Sequence, residues 1–311
     1  MATANAAPAR VTSRRAPEAF RHLTASMGGL APLALICILV VLGRQALPAI
    51  DHFGLRFLVT RTWNPVTQEF GALPAIFGTL VTSLLGLGLA LPIGVGVAIF
   101  LAEPGLERVR GVIGTGVELL AAIPSVVYGL WGLYVAAPWI YKHIELPLAD
   151  RLGALPIFAP PPRQTSLLSA SLVLTVMVLP TLAAVSRDVI KAVPGGLREA
   201  SFALGATWWE TTWRVVLPAA RAGIFGATVL ALGRALGETI AVTMVIGNRY
   251  EIQPSLLQPG YTLASVIANE FPEATGRLYP AALMELGLVL LLLTLVVNLI
   301  ALLLVRSVGD R

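Results

Sequence analysis

The feature that most constrains the fold is the run of residues 71–102, which has no charged side chain over 32 positions. A helix needs roughly 20 apolar residues to span the hydrocarbon core of a bilayer. The whole chain has the same character, because 56% of its residues are hydrophobic and 13% are charged, against about 25% charged in soluble domains. The sequence therefore predicts an all-α protein that crosses a membrane several times.

Six membrane-spanning helices are predicted from the apolar segments. The first occupies residues 28–47; a signal peptide is the alternative, but the apolar stretch is long and no small-residue cleavage site follows it. The other five belong to a domain over residues 70–305, at about 71–102, 111–141, 167–186, 222–247 and 280–305. Six helices place both termini on one side of the membrane.

The basic residues predict which side that is. One side would carry 13 Lys and Arg residues and the other 8, so both termini and the polar stretch 187–221 are expected in the cytoplasm. Residues 1–27, rich in Ala, Pro, Ser and Arg, are expected to form a disordered cytoplasmic tail. The net charge of +5 does not indicate nucleic acid as a partner, because no basic run lies beside aromatic residues.

Two charged residues interrupt the fifth apolar segment, Arg234 and Glu238. A charge in the hydrocarbon layer costs roughly 2.5 to 3.5 kcal/mol on insertion scales, so such residues indicate a functional site. At positions i and i+4 they would share one helix face and could pair. The alternative is an ion pair that only fixes helix packing, which the small residues of the Gly233-x3-Gly237 spacing would favour. The residues alone leave both interpretations open.

The polar stretch before this segment predicts two short helices in an L. The first would end near Gly205, and the second would begin at Trp208 and end with the help of Pro218. Phe202, Leu204, Trp208 and Trp209 would then be available to a groove on a partner protein. An amphipathic linker held at the lipid headgroups by its tryptophans is the alternative.

Spacing in this stretch resembles the EAA loop of ABC importer permeases, written E-A-A-x3-G-x9-I-x-L-P. Here it reads Glu199-Ala200-Ser201, Gly205, Val215 and Leu217-Pro218, with Ser201 in place of the second Ala and Val215 in place of Ile. The resemblance implies that this loop forms coupling helices seated in a cleft of a separate ATPase subunit. Glu199, Ala200, Gly205, Leu217 and Pro218 would take that role.

A narrower resemblance, to the PstC-like permeases of phosphate importers, covers roughly residues 70–305. It rests on the segments 70–74, 78–83, 118–132 and 232–239, which include Ala-Ala-Ile-Pro-Ser-Val-Val-Tyr-Gly and Gly-Arg-Ala-Leu-Gly-Glu. It implies a type I ABC importer permease with six helices in the lipid of the bacterial inner membrane. The implied partners are a second homologous permease in a heterodimer, two copies of an ATPase and an extracytoplasmic phosphate-binding protein.

The same resemblance implies that transport needs Arg234 and Glu238. The planar guanidinium of Arg suits phosphate oxygens, and Glu238 could neutralise it between transport events. A permease for another oxyanion, sulfate or molybdate, remains an alternative. So does an ion-coupled transporter that uses the two residues as anion and proton sites.

Other polar residues give weaker signals. His22, His52 and His143 have no second ligand at useful spacing, so no metal or cofactor is expected. Ser83 and Ser125 lack an activating base, and neither lysine lies in a nucleotide-binding loop, so the chain is not expected to be an enzyme. Glu118 and Glu285 are predicted to be solvated helix ends.

Overall fold

A computed structural model describes residues 18–103 and 107–309 of the 311-residue chain. The helices are α1 (Glu18–Phe53), α2 (Leu73–Ala102), α3 (Glu107–Ala122), α4 (Ser125–Leu152), α5 (Leu167–Lys191), α6 (Gly195–Ala203), α7 (Trp208–Leu236), α8 (Ile240–Ile246), α9 (Leu263–Glu270) and α10 (Leu278–Gly309). A hairpin pairs β1 (Trp63–Asn64) with β2 (Glu69–Phe70) in antiparallel register. Short 3-10 turns cover Gly54–Leu58, Pro156–Phe158 and Phe271–Glu273.

Five of the described helices, α1, α2, α5, α7 and α10, are long and apolar enough to cross a membrane. The bent pair α3 and α4 makes a sixth span if it is counted as one. The connections fall into two groups at opposite ends of these helices. We call them the hairpin end, with β1–β2 and residues 153–166 and 247–277, and the α6 end, with Glu103 and α6.

The first helix is longer than predicted. It begins at Glu18 rather than at residue 28, so residues 18–27 are helical and do not belong to a disordered tail. No proline interrupts the sequence between Glu18 and Pro32, so the helix can begin ahead of the apolar segment. Residues 1–17 of the predicted tail lie outside the described part of the chain.

The prediction of one continuous helix over residues 111–141 is wrong. The helix is interrupted at Ile123-Pro124, and α3 and α4 meet at an angle of 98°. Pro124 has no amide hydrogen, and its ring disfavours the helical conformation of the residue before it. Beyond the break α4 continues to Leu152, so the helix extends 11 residues past the end of the predicted span at residue 141.

Three wide helical turns accommodate prolines within α4 and α7. In each, the residue before a proline donates its N–H to the carbonyl five residues earlier. These bonds join Ala137 to Gly132, Leu146 to Tyr141 and Leu217 to Thr212, ahead of Pro138, Pro147 and Pro218. A wide turn relieves the clash between a proline ring and the carbonyl four residues back. The prediction that Pro218 helps end a short helix is therefore wrong, because α7 runs from Trp208 to Leu236.

Helix α5 forms the centre of the bundle and is the most buried of the described spans. It packs closely along α2, where the Thr175 hydroxyl donates a 3.1 Å hydrogen bond to the Gly86 carbonyl. A Cβ atom at Gly86 would lie 3.1 Å from the Ser171 carbonyl oxygen, so the missing side chain permits this approach. Small residues at such crossings are the usual means of bringing membrane helices together.

At the hairpin end, aromatic rings hold the connections together. Trp63 lies 4.8 Å from Phe70 and 5.5 Å from Tyr250, measured between ring centroids. The Tyr250 hydroxyl donates to the Gly71 carbonyl, and burial raises the pKa of Tyr250. The hydroxyl therefore remains a donor at neutral pH, and the hairpin is fixed to the start of α2.

We expect Gly78→Ala to destabilise the protein, because the new Cβ atom would overlap the Tyr261 carbonyl, which a backbone shift alone could relieve. Overpacking of this kind costs about 1–3 kcal/mol. Thermal unfolding in detergent should show a lower Tm for this variant. Gly88→Ala is the matched control in the same helix, since its Cβ atom would meet nothing within 4 Å. Equal Tm values for the two variants would contradict the packing described.

Candidate functional site

The predicted pair Arg234 and Glu238 lies where α7 ends. Arg234 is in the last turn of α7, Gly237 follows the helix with a ψ of 0°, and Glu238 lies in the break before α8. The prediction that both residues share one helix face is therefore wrong, because the helix stops between them. Among the ion pairs of residues 18–103 and 107–309, none joins Arg234 to Glu238.

The break gives the two side chains different surroundings. Arg234 is exposed on the surface of this single chain, whereas Glu238 is half-buried. Glu238 Oε1 accepts a long 3.4 Å hydrogen bond from the Ala241 N–H in the first turn of α8. Across from Glu238, Tyr128 of α4 packs in one buried cluster with Ala241, the residue whose N–H group donates to Glu238.

Tyr128 forms a hydrogen bond across the other helix break, which lies between α3 and α4. In an unbroken helix the Leu120 carbonyl would accept the N–H of residue 124, but Pro124 has none. The Tyr128 hydroxyl donates to that carbonyl instead, at 2.8 Å. Tyr128 was not among the predicted site residues, although a proline followed four positions later by a hydroxyl-bearing residue was a usable signal.

The helices that follow the two breaks, α4 and α8, pack against each other. A Cβ atom at Gly129 would lie 3.0 Å from the Ala241 Cα atom, which shows how closely the backbones approach. Interrupted helices that meet within a membrane leave backbone and side-chain polar groups pointing at the same space, which is a common plan for substrate sites. This contact brings the polar groups of Tyr128 and Glu238 to either side of Ala241, with Arg234 in the turn of α7 before the break.

Beside Arg234, a groove of about 650 Å³ runs between α7 and α10. Its walls are almost wholly apolar, with Leu230 and Leu295 among the lining residues. Asn298 lies against Gly233, and its Oδ1 atom is buried without a hydrogen-bond partner among the described residues. Arg234 thus presents a charged fork of donors at the edge of an apolar surface, where an anion would meet little competition from water.

The predicted coupling loop forms a sharply bent pair of helices at the α6 end. Helix α6 ends in a Schellman motif, since the Gly205 N–H donates to Phe202 O at 2.9 Å and the Ala206 N–H donates to Ser201 O at 3.2 Å. Gly205 has a φ of +82°, which glycine adopts without strain. Thr207 then caps α7 through a reciprocal pair of bonds with Glu210.

Ser201, one of the departures from the EAA pattern, is buried inside this bend. Its hydroxyl lies 2.8 Å from the Thr211 hydroxyl, so the two side chains join α6 to the first turn of α7. Glu199 and Ala200 on the neighbouring face are exposed, as is Gly205. Leu217 and Pro218 lie within α7 rather than in the bend, with Leu217 half-buried and Pro218 exposed.

Large apolar side chains are exposed around the bend. We call them the docking surface: Leu197, Phe202, Leu204, Trp208, Trp209 and Trp213. Trp209 packs against Trp208 and Trp213, with ring centroids 6.2 and 5.4 Å apart. A contiguous exposed apolar patch of this kind is typical of an interaction site.

The remaining carboxylates differ from prediction at one position. Glu118 is exposed and pairs with Arg187 at 3.4 Å, whereas Glu285 is buried inside α10 with its Oε2 atom lacking a partner among the described residues. The prediction that Glu285 is a solvated helix end is wrong, because it lies two turns inside α10. Glu145, which was not among the predicted site residues, is fully buried and accepts hydrogen bonds from Ser166 at 2.5 Å and Ser169 at 3.0 Å.

Comparison with known proteins identifies the family. The description "binding-protein-dependent transport system inner membrane component" matches residues 90–310, more than half of the chain. The chain belongs to this family of transport components. It is accordingly a membrane-embedded permease with several spans and not an enzyme, and membership implies a separate ATPase and a substrate-binding protein as partners.

Relatives of this permease are named phosphate transport system permease protein PstC. That of Pasteurella multocida is 45% identical over 296 residues, covering 94% of this chain and 92% of the relative. That of Mesorhizobium japonicum is 44% identical over 279 residues, covering 86% and 85%. In a crystal structure of a bacterial alginate ABC transporter with its periplasmic protein, a chain 18% identical aligns with a TM-score of 0.58, over 90% of this chain and 92% of that one. The permease has the type I ABC importer architecture.

Proposed function

We propose that this permease carries inorganic phosphate across the bacterial cytoplasmic membrane, driven by ATP hydrolysis on a partner subunit. The observation that carries the proposal is the 45% identity, over 94% of the chain, to a relative named as a phosphate permease. The site supports the same substrate, because Arg234 offers an anion a charged fork of donors beside an apolar groove. Such a fork can bind two phosphate oxygens at once.

Glu238 has two tasks in this proposal. Its bond to Ala241 is long, at 3.4 Å, and therefore weak, so the carboxylate can leave α8 at little cost and neutralise Arg234 when the site is empty. When phosphate is bound, Glu238 accepts a hydrogen bond from the hydroxyl that hydrogen phosphate retains at neutral pH. Sulfate and molybdate have no such hydroxyl near pH 7, so the carboxylate would repel them.

In this proposal, the ATPase subunits act on the permease at the docking surface. Two ATPase subunits act on the importer, and one receives α6 and the first turns of α7, with Glu199, Ala200 and Gly205 at the contact. A second, homologous permease completes the path as a heterodimer and covers the groove between α7 and α10. The phosphate-binding protein delivers its ligand at the hairpin end, and both termini lie in the cytoplasm, as the excess of basic residues at the α6 end favours.

Two alternatives remain distinguishable. A permease for another oxyanion would have the same architecture, so substrate competition must decide. An ion-coupled transporter would use Arg234 and Glu238 without an ATPase, and the tryptophans of the docking surface would serve only to hold the chain at the lipid headgroups. The family assignment and that surface both favour ATP-driven import.

The test is uptake of labelled phosphate into proteoliposomes that contain this permease, its sister permease and the ATPase, with the binding protein outside. We expect uptake only when ATP and the binding protein are both present. Excess unlabelled phosphate should abolish uptake of the label, whereas sulfate and molybdate should leave it unchanged. Uptake by the permeases alone, without an ATPase, would overturn the proposal in favour of ion coupling.

A further inference from the structure

Glu103, directly after α2, is a buried carboxylate at the α6 end. Only 3% of its side chain is exposed, and it forms an ion pair with Arg198 of α6, whose side chain is 18% exposed. The other three ion pairs among the described residues each include a partner at least 48% exposed. Exposed pairs contribute little, whereas removing one partner of a buried pair leaves an uncompensated charge.

Further hydrogen bonds connect this ion pair to α5 and α3, so that four helices are joined at one point. The second terminal nitrogen of Arg198 donates to the Ile190 carbonyl, at the end of α5, at 2.9 Å. From α3, Arg110 donates to the backbone carbonyl of Glu103 at 2.6 Å. Helix α6 is thereby joined through side chains to the ends of α2 and α5, and α3 is joined to the same point.

An apolar cluster lies next to the pair and ties together the ends of α2, α5 and α7. It contains Ala98, Ile190, Val193, Val216 and Ala220 as buried residues. Because close-packed interiors transmit strain rather than absorb it, a displacement of α6 would reach all three membrane helices. Of these three, α2 is the one to which α6 has no short backbone connection.

We infer that the Glu103–Arg198 pair is the mechanical link that transmits movement of the docking surface to α2 and α5. The inference rests on the proposed function, since it assigns these residues the task of positioning the membrane helices when the ATPase moves α6. Helix α6 is otherwise joined to α5 by residues 192–194 and to α7 by residues 204–207. It packs mainly against the first turns of α7, so the ion pair is the bonded contact that reaches α2.

The test separates ATP hydrolysis from transport in the complete complex. The principal variant is the double substitution Glu103→Gln with Arg198→Met, which removes both charges together. Replacement of a whole buried pair is often neutral for stability, so this variant should fold and retain the ATPase. We expect ATP hydrolysis within about twofold of the native complex, and phosphate transported per ATP reduced about tenfold or more.

Single variants and a control sharpen the result. Glu103→Gln alone removes the charge but keeps an oxygen that can accept from Arg198, so it should lower the phosphate transported per ATP less than the double variant does. Arg198→Lys keeps the positive charge, so this variant should transport more phosphate per ATP than the double variant does. Glu118→Gln breaks the exposed ion pair with Arg187 and should leave the ratio unchanged.

Each failure has a distinct signature. A native ratio of phosphate to ATP in the double variant would overturn the link and leave the proposed function intact. The absence of ATP-dependent phosphate uptake in the native complex would overturn the proposed function, and the link with it. Loss of the ATPase from the double variant during purification would also contradict the inference, because it would give the pair a role in docking rather than in transmission.

Discussion

Replacement of Arg234 by Gln should reduce ATP-dependent phosphate uptake by about 100-fold, corresponding to about 2.8 kcal/mol of lost charge-assisted hydrogen bonding. Gln keeps a polar end on a shorter side chain and has no charge to offset the loss of water around phosphate. The groove beside Arg234 is almost wholly apolar, so no neighbouring wall residue can replace the guanidinium. Uptake of labelled phosphate into proteoliposomes, at a fixed ATP concentration, measures the effect.

Two further variants distinguish a substrate site from a packing role. Arg234→Lys keeps the charge but loses the planar fork, so it should retain more uptake than Arg234→Gln. Arg221→Gln removes a half-buried charge from the same helix near the α6 end and should leave uptake within about twofold of native, as expected of a surface substitution. The Arg234→Gln complex should still co-purify with the ATPase. Normal uptake in that variant would remove Arg234 from the transport path.

Much of the architecture could be predicted from the sequence because apolar segments long enough to span a bilayer have few other structures open to them. The predicted second span, residues 71–102, agrees with α2 at Leu73–Ala102. The breaks could not be predicted in the same way, because an interrupted span and a continuous one have the same composition. Pro124 and Gly237 could be identified in the sequence as residues that can end a helix. Whether each of them does so depends on the packing and hydrogen bonds that neighbouring helices provide.

Two prolines show why helix breaks could not be predicted from the sequence. Pro124 ends α3, whereas α7 continues through Pro218 because a wide turn ahead of it moves the obstructing carbonyl away. The outcome is decided by the hydrogen bond of the preceding residue, which a sequence pattern does not record. The carboxylates show a second limit, because the partner of Glu103 is Arg198, which lies 95 positions away along the chain.

Gly205→Val should abolish association with the ATPase and, with it, phosphate uptake. Gly205 has a φ of +82°, where a β-branched residue is strained by about 1–3 kcal/mol. A Cβ atom at this position would meet nothing within 4 Å, so the substitution acts on the backbone and not through a clash. Relief of the strain requires the turn between α6 and α7 to open, which separates Phe202 and Leu204 from the tryptophans of the docking surface.

Gly205→Asn is the matched variant, because Asn tolerates a positive φ far better than Val does. It should retain most of the ATPase in co-purification, although its side chain is as large as that of Val. If both variants lost the ATPase equally, the space at Gly205 rather than its conformation would matter, and the partner would have to contact this position directly. If both retained it, the angle between α6 and α7 would not determine docking. The expected order, native above Asn and Asn far above Val, is the one that a conformational requirement produces.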